Sequence, residues 1–206
     1  MPGRNYQISF TDGATEYIRE LFGCAVAGPQ LAAAAGALDG AQVLFTLRRP
    51  GELLVEIRHP YILEQRRSFR RDRDGKLFVY NEEFTKQANA PPALGANALW
   101  RQVTAARDLG CQYIETYAAG DPRSAARHGY YVWAVLGFDA SLTLREQRSL
   151  WPPLVGSQTL NEVMLRGGEE WWRIFGGERK MIFDLRANSK SKQILLAYMQ
   201  RKGILP

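Results

Sequence analysis

The chain has 206 residues, 46% of them hydrophobic and 11% aromatic, which is enough apolar side chain for a full core and too much for a disordered segment. Lysine and arginine total 27 against 21 acidic residues, and the resulting charge of +6 favours anionic partners without choosing among nucleic acid, acidic protein and phosphate-bearing cofactor. No run approaches the roughly 20 apolar residues of a membrane helix, the opening MPGRNYQISF lacks the apolar core of a secretory signal and points to the cytoplasm, and two cysteines without CxxC spacing argue against a zinc or disulfide framework.

In chain order, residues 6–10 (YQISF) alternate polar and apolar side chains, as a short edge strand does. Thr11 and Asp12 suit the cap of a helix running to about Phe22, with Tyr17, Ile18, Leu21 and Phe22 on its apolar face and Gly23 ending it. Residues 28–40 (GPQLAAAAGALDG) combine alanine helix propensity with flanking glycines and predict a short helix or a helical loop. AQVLFTLRR from Ala41 and ELLVEIRH from Glu52 are apolar at every second position around Pro50-Gly51, the pattern of an antiparallel hairpin. Asp74-Gly75 marks a second hairpin, pairing residues 62–71 with 76–84.

The densest charge feature is Arg66, Arg67, Arg70, Arg71 and Arg73. On a strand, Arg67, Arg71 and Arg73 share one side and Arg66 and Arg70 the other, so a one-sided nucleic-acid stripe would hold only part of the run. Only Phe69 lies within it to stack on a base. A solvated edge strand guarded by its charges is the preferred reading, and a nucleic-acid partner is not favoured.

The stretch from Lys76 to Phe138 carries the strongest periodic signals. A strand (KLFVYNEEF) leads through a loop to a helix that opens after Pro91-Pro92. Leu94, Ala98, Leu99, Val103, Ala106 and Leu109 follow helical spacing, and Gly110 stops the helix. A strand (CQYIETYAA) and a turn into GYYVWAVLGF follow. Strand, helix and strand with short linkers imply a right-handed crossover with locally parallel neighbours. Cys111 reads as a buried, inert thiol, and the aromatics of GYYVW read as core packing rather than cleft lining. After Asp139 short helices alternate with Pro and Gly. There Ser157 suits the cap of TLNEVMLR, KMIFDL suits a strand, and Ile194, Leu195, Tyr198 and Met199 form the apolar face of a last helix. The fold class is therefore α/β (α+β): a mostly antiparallel sheet with one β-α-β crossover over residues 1–140, and a helical C-terminal extension, 141–206, packed on the same domain.

The antiparallel strands, the helix ending in Ala106–Gly110 (ARDLG), the strand after it and the closing Leu136-Gly137-Phe138 together resemble the core of the GNAT family of N-acetyltransferases, over about residues 41 to 140. The resemblance implies an acyl-CoA-dependent N-acyltransferase that takes acetyl-CoA and an amine. It places the cofactor pyrophosphate at the backbone of Ala93, Leu94, Gly95 and Ala96, at a helix N-terminus where such a group is physically favoured. In the best register the marked positions of the family's loop fall on Ala90, Ala93 and Gly95, and Pro91 and Pro92 bring no N–H donors. The tyrosine that protonates the leaving thiolate in the family falls on Trp133; Tyr130 and Tyr131 are near enough in sequence to stand in, Tyr131 being preferred as the acid, and an asparagine earlier on that helix falls on Ala126. Glu83 or Glu115 would be the general base, and of the neighbours Glu82 and Glu83 only one can face a cleft. No metal is implied. The second reading is a catalytically inactive GNAT-like binding or structural module in a larger assembly, such as a phage particle or a toxin system, with the C-terminal extension offered to a protein partner.

Overall fold

The computed structural model describes residues 5–124 and 127–204, so Ala126 lies outside the described residues. The fold is α+β, and the chain divides into two units, Met1–Ile114 and Glu115–Pro206. The division falls inside a strand, Tyr113–Ala118.

In the first unit β1 (Gln7–Phe10) runs parallel to β2 (Gln42–Arg49). Then β3 (Glu52–Arg58), β4 (Ile62–Arg71) and β5 (Leu77–Lys86) follow as antiparallel neighbours in chain order. Both hairpins read from Pro50-Gly51 and Asp74-Gly75 are present, with Leu47 opposite Leu53 and Arg71 opposite Leu77. The second turn is longer than a two-residue loop because the Asp72 carboxylate accepts the N–H groups of Asp74 and Lys76, each at 2.9 Å, which fixes residues 72–76 as a turn of their own. The period-two pattern buries Val43, Phe45, Leu53, Val55, Ile57, Phe69 and Val79.

Among the described residues, three helices belong to this unit. Helix α1 (Ala14–Phe22) is capped by Gly13, not by Thr11 or Asp12. Thr11 is instead held to β2, its N–H donating to the Phe45 carbonyl at 2.9 Å, so the chain is still strand-like where a cap was expected. Helix α2 (Gly28–Ala34) and helix α3 (Leu94–Asp108) pack on each other. The alanine-rich stretch earns its composition here: Ala32, Ala34 and Ala35 are fully buried, and a methyl on Gly36 would lie 3.3 Å from the Ala98 carbonyl oxygen. Gln112 N–H donates to the Leu77 carbonyl at 2.8 Å and the Tyr113 ring stacks on Phe78 with centroids 4.8 Å apart. The start of β6 (Tyr113–Ala118) thus lies beside the start of β5, as the crossover requires.

The second unit holds the end of β6, then α4 (Gly129–Val135), α5 (Leu144–Arg148), a 3-10 turn (Pro152–Leu154), α6 (Leu160–Leu165), α7 (Glu169–Phe175), β7 (Arg179–Asp184) and α8 (Lys190–Arg201). The strand expected in KMIFDL is β7. Trp171 and Trp172 are fully buried, and their indole N–H groups donate to the carbonyls of Ser149 and Tyr130 at 2.9 and 3.0 Å, so neither ring buries an unpaired donor. Of the GYYVW aromatics only Tyr130 is a core residue; Tyr131 and Trp133 are partly buried and Val132 is exposed, so the core reading holds in part, while Leu136 and Phe138 after it are buried. Ser157 does not cap α6: it is fully buried, and Thr159 caps the helix by accepting the Glu162 N–H. Ser157 lies too far before the first turn to reach it. The left-handed Gly137 of the Leu136-Gly137-Phe138 motif has a local reason: a methyl there would sit 2.3 Å from the Ser191 carbonyl oxygen of α8. Among the described residues no helix is long and apolar enough to cross a membrane.

Candidate functional site

The basic run does not form a solvated edge strand. β4 lies between β3 and β5, and the run's charges are matched across the strands. Glu52, opposite Arg70, is 1% exposed and is paired with Arg48, Arg49 and Arg70, while Glu82 pairs with Arg48 at 2.7 Å and Arg70 at 3.2 Å. Burial alone would raise the Glu52 carboxyl, but the hydrogen bond from Arg48 and the charges of Arg70, Arg48 and Arg49 outweigh it and hold it at about 2. Arg66 is 2.7 Å from Glu64 and 3.6 Å from Glu83. The register shift between Arg66 and Arg67 places Arg66 opposite Glu83 and Arg67 opposite Asn81. This bulge lets the neighbours Glu82 and Glu83 both reach arginines, which strict alternation forbids.

Arg67 and Gln65 take the other side of β4, facing the helices. The Gln65 amide donates to the carbonyls of Ala35 and Gly36 at 3.1 and 3.2 Å, and its oxygen is buried without a partner. Arg67 is 3% exposed, donates from one terminal nitrogen to the carbonyls of Arg66 and Glu83, and lies 5.6 Å from the Phe84 ring centroid. Its Nε is unpartnered, and burial pulls the guanidinium down to about 9. Asn81, opposite Arg67 on β5, and Gln102 of α3 exchange two hydrogen bonds, at 3.2 and 2.8 Å. Sequence reasoning missed this buried polar group. The signal was there in the placement of Gln65 and Arg67 on the same face of β4 as Phe69.

The resemblance puts the cofactor at Ala93, Leu94, Gly95 and Ala96. Ala93 is the N-cap of α3, already helical in conformation, and the other three form the first helical turn. The Leu94 side chain packs in a buried cluster with Leu38, Ile62 and Ala98, and Ala96 is also buried. A methyl on Gly95 would rest 3.6 Å from Phe84, an ordinary contact, so the space around that position does not require glycine. The Ala90 N–H donates to the Gln87 carbonyl at 3.1 Å and the Leu94 N–H to the Pro91 carbonyl at 3.0 Å.

Of the three residues expected to act as base and acid, Glu83 belongs to the first unit, and Glu115 and Tyr131 to the second. Glu83 is half-exposed beside Arg66. Glu115, on β6, is largely covered and pairs with Lys180 at 2.7 Å. Tyr131 lies in the first turn of α4, and burial, with Glu169 next, raises its phenol above the usual value. Among the described residues no group of three or more His, Cys, Asp or Glu is placed to hold a metal ion. Compared with family models and with curated proteins, the sequence matches none.

Proposed function

We propose that this chain is a GNAT-like module whose role is binding or structural, with no acyl transfer of its own. The observation that carries this reading is the supply of donors at the start of α3. A pyrophosphate is held by consecutive N–H groups converging at a helix N-terminus. Ala90 and Leu94 give theirs to carbonyls of the same loop, and Pro91 and Pro92 have none, so over residues 90–96 the N–H groups left to a ligand are those of Ala93, Gly95 and Ala96. The two carboxylates in reach of a base role are each engaged with a cation that a base would have to release, Glu83 with Arg66 and Glu115 with Lys180.

The alternative is an acyl-CoA-dependent N-acyltransferase with Glu83 or Glu115 as base and Tyr131 as acid. It is favoured by the Tyr131 phenol, which burial keeps protonated as a thiolate-protonating acid must be. It is also favoured by Arg67, a buried guanidinium that makes no ion pair among the described residues and lies against Phe84, which in turn touches the start of α3. Thermal unfolding of the full chain with about 1 mM acetyl-CoA separates the two. The binding-module reading expects an unchanged Tm. An upward shift that grows with ligand as mass action requires would support the transferase and overturn the module.

A further inference from the structure

Residues 144–155 of the second unit, α5 and the turn after it, have an inner and an outer side of opposite character. The inner side is tied down along its length. Glu146 is buried, pairs with Arg179, and accepts the N–H and hydroxyl of Thr143 at 2.7 and 2.9 Å. The Ser149 carbonyl accepts the Trp171 indole N–H at 2.9 Å, Leu154 is buried, and the Val155 carbonyl accepts from Arg166 at 3.0 Å. A segment fixed in this way holds its outer side chains out in place instead of folding them onto the body of the protein.

Those outer side chains are apolar and cationic. Leu144 is 72% exposed and Val155 62%, and the exposed rings of Trp151 and Phe175 meet edge to face with centroids 6.5 Å apart. Single exposed apolar residues are ordinary on a protein surface, but four large ones on and beside one short segment make a patch. Its charge has one sign. Between Asp139 and Glu162 the only acidic residue is Glu146, and that carboxylate is turned inward to Arg179. Arg145 and Arg148 are exposed one turn apart on α5, and Arg166 is exposed at the Val155 carbonyl. Among the described residues none of the three is paired with a carboxylate. Unpaired cations around an apolar patch complement an anionic partner. The shape decides its kind. Leu144 and Val155 project from the surface and line no groove, so a peptide finds no pocket at them. A lipid layer, by contrast, admits projecting apolar side chains, seats a tryptophan at headgroup depth and draws arginines to its phosphates.

We propose that this face docks peripherally on an anionic lipid surface, with Leu144, Trp151 and Val155 entering the headgroup layer and Arg145, Arg148 and Arg166 meeting lipid phosphates. This goes beyond the proposed function and does not depend on it. The test is co-sedimentation of the full chain with phosphatidylcholine vesicles containing about 30% phosphatidylserine. At about 0.1 M salt, half or more of the chain is expected in the pellet at ~1 mM lipid, with binding about tenfold weaker at ~0.5 M salt or on phosphatidylcholine alone. Two double variants, Leu144→Gln with Val155→Gln and Arg145→Gln with Arg148→Gln, alter exposed side chains only, so their Tm should match the parent. Each is expected to weaken vesicle binding about tenfold or more. No pelleting up to ~5 mM lipid, equal binding without phosphatidylserine, or full binding by both double variants overturns the proposal. Binding of polyglutamate in place of vesicles, lost in the arginine variant, overturns it as well and gives the face to an acidic protein.

Discussion

At the scale of single residues, Glu52 shows how a charged side chain can be buried in this sheet. Its pKa is depressed from an ordinary 4.5 to about 2, so its ionised form contributes stability that is fully present above about pH 4.5 and is lost as pH falls toward 2. With part of the arginine cluster exposed, the contribution is about 2 kcal/mol. Glu52→Gln is therefore expected to lower Tm at pH 7 and to flatten its decline between pH 5 and 2; a wild-type and variant that lose stability in parallel over that range would refute the assignment. Cys111 makes the opposite case. Burial pushes its thiol up to about 12, whereas Cys24 is exposed. A thiol reagent such as Ellman's should titrate one cysteine in the native chain and both in denaturant, and two fast-reacting native thiols would contradict the buried placement. The inert reading of Cys111 was available from its position at the start of a strand. Apart from Glu64, two residues before Arg66 on the same face of β4, the partners of its arginines are Glu52, Glu82 and Glu83 of other strands, which nothing in the alternation of β4 announced.

At the scale of elements, the sequence pattern located the strands and helices well and their ends less well. Pro-Gly and Asp-Gly turns, apolar alternation and the stop at Gly110 lead to the observed hairpins and to α3. The Gly13 cap and the Thr159 cap were not legible, since whether a Thr or Ser side chain caps a helix depends on where the preceding backbone is held; Thr11 is held by Phe45. The basic run was misplaced for a related reason. Strand order decides whether a charged strand is an edge, and order is a property of pairing, not of the strand's own residues. Gly137, quoted for its place in a family pattern, has a physical requirement that can be measured. Gly137→Ala meets the Ser191 carbonyl oxygen at 2.3 Å with φ near 96°, whereas Gly156→Ala, at φ 89°, meets nothing within 4 Å. Urea unfolding should show a loss of about 3 kcal/mol or more for the first and about 1 kcal/mol for the second. Equal losses would mean that α8 does not press on the motif.

At the scale of the whole molecule, the α+β class and the five strands of the first unit followed from periodicity and turn chemistry, whereas the parallel pairing of β1 with β2 and the interior place of β4 did not. The second unit was legible only as helices and one strand, because its core is set by long-range contacts such as those of Trp171 and Trp172 that have no periodic signature. The candidate cofactor loop was legible as a place and not as a function: its position at the start of α3 follows from Pro91-Pro92, while the engagement of the Ala90 and Leu94 N–H groups is a matter of loop geometry. On the reading proposed above, the start of α3 is too poor in N–H donors to hold a pyrophosphate. Calorimetric titration of the full chain with acetyl-CoA tests this. The account predicts no saturable heat with acetyl-CoA up to ~5 mM. A saturable isotherm with a micromolar Kd would contradict it and return the chain to the acyltransferases.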